Sequence, residues 1–138
     1  MLERLSPRTV LCGHYGSGKT NLTVNLALLA ARAGDKVTVV DMDIVNPYFR
    51  TADFREFFRN AGVGLIAPLY AGTNLDIPVL PPSVRTLVRS GAGRVFLDLG
   101  GDDDGAVALG GFSADLKAVG YTMVYVVNSR RGPDPDPG

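Results

Sequence analysis

Short apolar runs and longer amphipathic segments alternate along the chain. Each apolar run is continuous and ends in a glycine, an acid or an amide, a pattern that is typical of strands buried on both faces. Four such runs predict strands, at residues 8–13, 35–43, 94–101 and 121–128. A weaker run at residues 62–69, GVGLIAPL, predicts either a short strand or an extended edge segment.

Segments with apolar residues three and four positions apart separate these runs and predict helices. The longest covers residues 19–34, contains no proline or internal glycine, and ends at Gly34, a residue that favours helix termination. Three shorter helices are predicted at 51–62, 82–93 and 105–120, the last weakened by its glycines. In the helix at 51–62, three phenylalanines are expected on one face: Phe54, Phe57 and Phe58.

This alternation of strands and helices predicts an α/β fold. Parallel strands need crossover connections, so the pattern indicates a mostly parallel sheet with helices on both faces. In such sheets ligands bind outside the carboxyl ends of the strands. The residues at those ends are glycines, acids, hydroxyls and an amide: Gly13 to Thr20, Asp41, Asp43, Asp98 to Gly101, and Asn128.

Composition narrows the classes of partner. The chain has 138 residues, of which 46% are hydrophobic, enough for one compact domain with a core. Fourteen Lys and Arg balance fourteen Asp and Glu, and the sequence has no local basic patch, so we expect no nucleic-acid partner. No apolar stretch is long enough to cross a bilayer, so we expect no membrane span.

Cysteine usage favours a reducing compartment. Cys12 is the single cysteine, which excludes an intrachain disulfide and a thiolate metal cluster and favours a cytoplasmic location. We assign residues 1–128 to the domain and expect the tail at 129–138, rich in Pro, Asp and Gly, to be disordered.

Residues 11–20, LCGHYGSGKT, contain the strongest motif. Gly13, Gly18, Lys19 and Thr20 fit G-x-x-x-x-G-K-[ST], between a predicted strand and a predicted helix. Glycines let backbone N–H groups turn around a phosphate, and the positive end of the next helix faces the same anion. Lys19 then reaches the β- and γ-phosphates, and the Thr20 hydroxyl binds Mg²⁺. The alternative is an ordinary glycine-rich turn, which would not explain why Lys19 and Thr20 follow the glycines. The expected nucleotide contacts are Gly13, His14, Tyr15, Gly16, Ser17, Gly18, Lys19, Thr20 and Asn21.

Two acids end the second predicted strand. Asp41 and Asp43 are two residues apart, so in an extended segment they point the same way. If this strand neighbours the first, both carboxylates approach the γ-phosphate. Asp43 is then the candidate for orienting the attacking water, and Asp41 supports Mg²⁺ through water. The alternative is that both are strand-end residues in solvent.

The run FLDLGG at 96–101 ends in an acid that could hold Mg²⁺ through water, Asp98. It also reads D-x-x-G, which would let the Gly101 backbone N–H contact a γ-phosphate. Residues 102–104 are three further aspartates, for which helix capping is the favoured role.

Together GHYGSGKT, VTVVDMDIVNP and VFLDLGG resemble the MinD/ParA and CobQ/CobB group of P-loop ATPases over residues 8–128. The resemblance implies a three-layer α/β/α P-loop NTPase fold that binds ATP and Mg²⁺. It implies that Lys19 and Thr20 bind triphosphate and metal, that Asp43 is similar to the acid that polarises the attacking water, and that Asp98 is the Walker B acid. It gives no role to Tyr48 or Arg50 in the following PYFR segment.

Two features depart from the family pattern. His14 stands where many MinD/ParA members carry a lysine that reaches the nucleotide of a dimer partner, so this position does not by itself imply a nucleotide-sandwich homodimer. In lacking this lysine, the phosphate loop resembles the loops of dethiobiotin synthetase and CobB-like ligases. The family fold also has more strands, so we expect a fragment of a longer member, truncated after the fourth main strand.

The leading functional hypothesis is a Mg²⁺-dependent ATPase that acts as a switch or delivery protein. One alternative is an ATP-dependent ligase of the CobB or dethiobiotin synthetase type that activates a carboxylate. Another is a nucleotide-binding module without turnover. The expected partners are a nucleoside triphosphate, either a protein partner or a small-molecule substrate, and, as an open alternative, a second copy of the chain.

Overall fold

The computed structural model describes residues 2–13, 18–42, 54–66, 83–90, 93–99, 110 and 113–127. The described strands are β1 (Arg8–Cys12), β2 (Val37–Met42), β3 (Gly64–Ile66), β4 (Arg94–Leu99) and β5 (Thr122–Tyr125). The described α-helices are α1 (Lys19–Arg32), α2 (Arg55–Ala61), α3 (Ser83–Ser90) and α4 (113–119). A 3₁₀ turn, Leu2–Arg4, precedes β1.

The described strands form one five-stranded sheet in the order β3-β2-β4-β1-β5, and every neighbouring pair is parallel. The predicted parallel α/β fold is therefore confirmed. The weak apolar run at 62–69 contains a real strand, because β3 pairs with β2 at one edge of the sheet.

The order of the strands corrects one expectation. A position of β2 beside β1, the condition for Asp41 and Asp43 to approach the phosphate loop together, does not occur, because β4 lies between the two strands and pairs with both. The reason is burial: five of the six residues of β4 are buried and the sixth is half-buried, so β4 is most stable with strands on both sides. This arrangement brings Asp98 of β4, rather than the acids of β2, next to β1.

Two apolar layers cover the two faces of the sheet. On one face, alternate strand residues such as Leu11, Val39 and Phe96 pack against α1 and against Phe58 of α2. On the other face, the intervening residues pack against α3 and against Leu116 of α4. This is the three-layer α/β/α architecture that the sequence predicts, and the alternation assigns each strand residue to one face.

Helix α1 ends where the sequence predicts. The Gly34 N–H donates to the Ala31 carbonyl at 3.0 Å, and the Asp35 N–H donates to the Ala30 carbonyl at 3.1 Å. The described residues of helix α2 end at Ala61, and the ring centroids of Phe54 and Phe57 lie 6.0 Å apart, which agrees with the predicted shared face. Phe58 is fully buried, whereas Phe57 is 62% exposed. A seven-residue helix beside the edge strand presents only a narrow stripe to the core, so Phe58 is buried while Phe57 on the same face is exposed.

Arg8, the first residue of β1, links the amino edge of the sheet, where the strands begin, to the end of α3. Its side chain is buried, and its Nε donates to the Val88 carbonyl of α3 at 2.8 Å. Its Nη1 donates to the Gly93 carbonyl at 2.8 Å, and its Nη2 donates to the Leu87 carbonyl at 3.3 Å. Burial lowers the pKa of Arg8, but a guanidinium remains charged at neutral pH. The guanidinium thus donates to carbonyls in the last turn of α3, where a helix supplies no backbone N–H donors.

Gly93, which precedes β4, has a φ of +67°. A Cβ at this position would lie 2.4 Å from the Lys36 carbonyl oxygen. Only glycine combines this backbone conformation with so close an approach to the segment before β2.

Strand β5 is the outermost strand on the side of the sheet away from β3. Together with its flanking residues it exposes one row of large apolar side chains: Tyr121, Met123, Tyr125 and Val127. Among the helices that the structure describes, none is long and apolar enough to cross a membrane.

Candidate functional site

The described residues of the predicted site lie at the carboxyl edge of the sheet. Gly13 directly follows β1, and Gly18 directly precedes α1. The first residues of α1 are Lys19, Thr20 and Asn21. Asp41 and Asp98 lie near the ends of β2 and β4. Several predicted residues lie outside the described part of the chain: His14, Tyr15, Gly16, Ser17, Asp43, Tyr48, Arg50, Gly101, the aspartates at 102–104, and Asn128. The tail at 129–138 also lies outside it.

Gly18 sets the start of α1. Its φ of +94° is left-handed, and among the described residues no atom lies within 4 Å of a Cβ placed there. The backbone conformation by itself favours glycine at this position. The Gly18 carbonyl accepts a hydrogen bond from the Leu22 N–H at 2.9 Å, so the first turn of α1 begins directly at this residue. The N–H groups of a first helical turn have no acceptors within the helix, which is why such an end attracts anions.

Lys19 points into the protein rather than into solvent. Its residue is 2% exposed, and its Nζ forms a hydrogen-bonded ion pair with Oδ1 of the fully buried Asp98. The Thr23 hydroxyl donates to the Lys19 carbonyl at 2.8 Å. The first residue of α1 is thus joined to the strand that lies beside β1.

Asp41 lies beside Asp98. The two residues are Cα partners in the parallel register of β2 and β4, and side chains of such partners lie on the same face of a sheet. Val39 and Phe96, two residues earlier on each strand, face α1, so both carboxylates are on the α1 side. Asp41 is fully buried. The alternative of a solvent-exposed strand end is therefore wrong for Asp41.

The charges of this group favour a cation. Lys19 contributes one positive charge and the two aspartates contribute two negative charges, so the buried group has a net charge of −1 when all three are ionised. Carboxylate and hydroxyl oxygens are hard ligands of the kind that Mg²⁺ takes. The oxygen donors of Asp41, Asp98 and the buried Thr20 therefore fit Mg²⁺ chemically.

The described residues do not form a metal site from protein ligands alone. Within the described residues, no group of three or more His, Cys, Asp or Glu side chains could hold a metal ion. Mg²⁺ is characteristically held by one or two carboxylates together with phosphate oxygens and water. The donor set fits that mode of binding.

Cys12, the last residue of β1, is half-buried and packs on the α3 side of the sheet. Burial raises the pKa of its thiol, and the positive charge of Lys19 opposes part of that rise. The thiol is therefore protonated at neutral pH and is a poor nucleophile.

Sequence reasoning missed the contact between Lys19 and Asp98. It assigned Lys19 to phosphate and Asp98 to metal as separate roles, whereas the structure joins the two side chains. They are 79 positions apart, and no local pattern in the sequence signals their contact. It also gave no role to Arg8, whose partners at the end of α3 are equally remote in sequence.

Comparison with known proteins agrees with this geometry. The family model described as the CobQ/CobB/MinD/ParA nucleotide binding domain matches residues 9–134, nearly the whole chain. A search among curated proteins gives no match. The matched segment includes β1, the start of α1 and the strands that carry Asp41 and Asp98, and the parallel sheet with helices on both faces agrees with a P-loop NTPase fold. The chain therefore belongs to the CobQ/CobB/MinD/ParA family of nucleotide-binding domains.

Proposed function

We propose that this nucleotide-binding domain binds ATP with Mg²⁺ and hydrolyses it, and that hydrolysis drives a switch or a delivery step. The observation that carries the proposal is the position of Lys19. It begins α1 at the carboxyl edge of the sheet, and its ammonium lies against Asp98, next to Asp41 in register. An ammonium group and two carboxylates are thus collected at one point, which supports the proposal.

In this proposal the first turn of α1 and the loop before it bind the triphosphate. Their backbone N–H groups donate to phosphate oxygens, and Lys19 contacts the β- and γ-phosphates. Thr20 would bind Mg²⁺ through its hydroxyl, and Asp98 and Asp41 would hold it through water. The ion would supply charge neutralisation to the phosphates.

Hydrolysis needs a positioned water. We assign that role to Asp43, which follows the last residue of β2 and would accept a hydrogen bond from the water. The water oxygen forms a bond to the γ-phosphorus and the water proton passes to the released phosphate. The bond from that phosphorus to the β–γ bridging oxygen breaks, its electron pair stays on ADP, and ADP and phosphate leave. Lys19 stabilises the charge that develops on the phosphate oxygens, and the Gly101 N–H is proposed to contact the γ-phosphate.

Calorimetric titration with ATP and with GTP, each with and without Mg²⁺, tests the binding proposal. We expect Mg²⁺-dependent binding of ATP. Lys19→Ala should weaken it by roughly a hundredfold or more, since a charge-assisted contact to phosphate is lost. Lys117→Ala, an exposed lysine of α4, is the matched control and should bind like wild type. Unchanged affinity in Lys19→Ala would overturn the phosphate assignment.

Phosphate release from the same samples tests turnover. Asp43→Ala should retain ATP binding and lose hydrolysis, whereas Glu56→Ala, an exposed acid of α2, should leave both unchanged. Binding without release in wild type would indicate a binding module. Release that appears only after a carboxylate substrate is added would indicate the ligase class.

A further inference from the structure

The ion pair between Lys19 and Asp98 joins two groups that the proposed function assigns to different ligands. Both residues are almost completely buried, and their contact is direct. Resting on the proposed function, we infer that triphosphate and divalent cation bind cooperatively at this site. The triphosphate binds Lys19 and the cation binds Asp98, so each ligand replaces one partner in the ion pair.

Nucleotide binding without a cation is unfavourable in this arrangement. A triphosphate that draws the Lys19 ammonium toward its oxygens takes positive charge away from Asp98. The carboxylate then remains buried, with the second carboxylate of Asp41 beside it and a polyanion in front of it. A buried charge that loses its partner is strongly destabilising, so the Asp98 carboxylate opposes binding of the free triphosphate.

Cation binding without nucleotide is unfavourable for the converse reason. A divalent cation at Asp98 must approach the carboxylate that already holds the ammonium, and the two positive charges repel each other at close range. Lys19 would then have to leave, and the buried stem of its side chain places the ammonium inside the protein rather than in water. The ion pair therefore excludes a cation until an anion is present to accept Lys19.

Binding of both ligands together satisfies every charge. Lys19 moves its interaction from Asp98 to the phosphates, and Asp98 and Asp41 face the cation. The two binding events are coupled in free energy, and by linkage each ligand must tighten the other by the same factor. Couplings between sites are typically about 5- to 150-fold, and a direct exchange of charged partners places this one at roughly tenfold or more.

The wild-type chain provides the first test. Calorimetry gives the affinity for ATP in EDTA and in Mg²⁺, and Mn²⁺ titration gives the affinity for the cation without nucleotide. We expect Mg²⁺ to tighten ATP binding by roughly tenfold or more, and nucleotide-free Mn²⁺ binding to be weak. ATP affinity that is the same with and without Mg²⁺ would overturn the inference. Absence of ATP binding under both conditions would instead overturn the proposed function.

In the proposed exchange, the Asp98 carboxylate competes with the phosphates for the Lys19 ammonium. Asp98→Asn removes that carboxylate charge. ATP binding in EDTA should become roughly tenfold tighter than in wild type, and the effect of Mg²⁺ should shrink to a few-fold. Asp41→Asn removes the same charge one strand farther from β1, so its effect in EDTA should be smaller. Equal effects of the two variants would indicate general electrostatics and overturn the ion-pair exchange.

Asp115→Asn is the matched control. Asp115 is also a buried acid in ion pairs, with Arg85 and Arg89, but it lies in α4 on the opposite face of the sheet. Its substitution should leave ATP affinity in EDTA unchanged. A tightening equal to that of Asp98→Asn would contradict the inference.

Lys19→Met provides the reciprocal measurement. Without the ammonium, the carboxylates should bind Mn²⁺ in the absence of nucleotide at least about tenfold more tightly than in wild type. Circular dichroism establishes that each variant is folded. If Lys19→Met is folded and gains no affinity for Mn²⁺, the ion pair does not exclude the cation and the inference fails.

Discussion

The protein has a buried cation at each end of its strands: Arg8 at the amino edge of the sheet and Lys19 at the carboxyl edge. Each residue is 2% exposed. The partners of Arg8 include neutral backbone carbonyls at the end of α3 and at Gly93. The ammonium of Lys19 contacts the carboxylate of Asp98. The two residues are equally buried, but their partners differ in chemistry.

That difference separates a structural cation from an exchangeable one. Backbone carbonyls at the end of a helix cannot leave their positions without unfolding the segment that carries them, so Arg8 is held as long as the domain is folded. A carboxylate can change its partner from an ammonium to a metal ion, and an ammonium can change its partner from a carboxylate to a phosphate. The carboxyl edge therefore combines burial with chemical reactivity toward ligands.

Lys19→Met should break the comparison most strongly. The substitution leaves Asp98 buried without the ammonium, so the free energy of unfolding should fall by about 3–5 kcal/mol. Adding Asp98→Asn removes the buried charge and should restore most of the loss. Urea denaturation of the two single variants and the double variant measures this coupling. No recovery in the double variant would contradict the pairing.

Arg8→Met should have the next largest effect. It leaves carbonyls at the amino edge without their donor, which should cost about 2–4 kcal/mol in unfolding free energy. Binding of nucleotide by the folded variant should stay within about twofold of wild type, because Arg8 is at the edge away from the site. Arg85→Met, whose side chain is 64% exposed, is the control and should change stability by less than about 1 kcal/mol. A large loss of nucleotide affinity in folded Arg8→Met would show that the two edges are coupled.

Two glycines sharpen the same comparison. Gly93→Ala places a Cβ 2.4 Å from the Lys36 carbonyl oxygen at a φ of +67°, so it should destabilise the fold by about 2–4 kcal/mol. Gly18→Ala has a φ of +94°, but no atom of the described residues lies within 4 Å of the new Cβ, so it should cost only about 1–2 kcal/mol. Thermal unfolding of both variants measures the difference. The reverse order would mean that the segment before β2 yields more easily than the start of α1.

Cys12 reports the smallest effect. The positive charge of Lys19 opposes the rise in the pKa of the Cys12 thiol that burial causes. Lys19→Met should therefore raise this pKa further, leave less thiolate at pH 8, and slow reaction with a thiol reagent by a few-fold at that pH. Arg8→Met should not slow it. An unchanged or faster reaction in folded Lys19→Met would contradict the electrostatic link between Lys19 and Cys12.

Much of the fold could be predicted from local sequence. Apolar runs located the described strands, and helix α1 begins after Gly18 and ends before Gly34, as the pattern indicates. Local spacing does not determine which residues of a helix face are buried. Phe57 and Phe58 have the spacing of one helix face, but Phe58 is buried and Phe57 is exposed, because α2 meets the core along a narrow stripe.

The candidate site divides in the same way. The glycines, Lys19 and Thr20 were recognisable because they are adjacent in sequence, and the acids because they end apolar runs. Whether the acids meet could not be predicted, because it depends on the order of strands. Placing β4 between β2 and β1 puts Asp98 in register with Asp41 and against Lys19.

By itself, the sequence determined the α/β class, the elements and the chemical groups at the carboxyl edge. Periodicity, helix stops and loop motifs act between residues that are near in the chain, so a single sequence records them. Only the tertiary structure decided the strand order, the burial of Asp41 and the partners of Lys19 and Arg8. Those partners are some 80 positions away in sequence, and they are selected by the packing of the whole sheet, which no local pattern encodes.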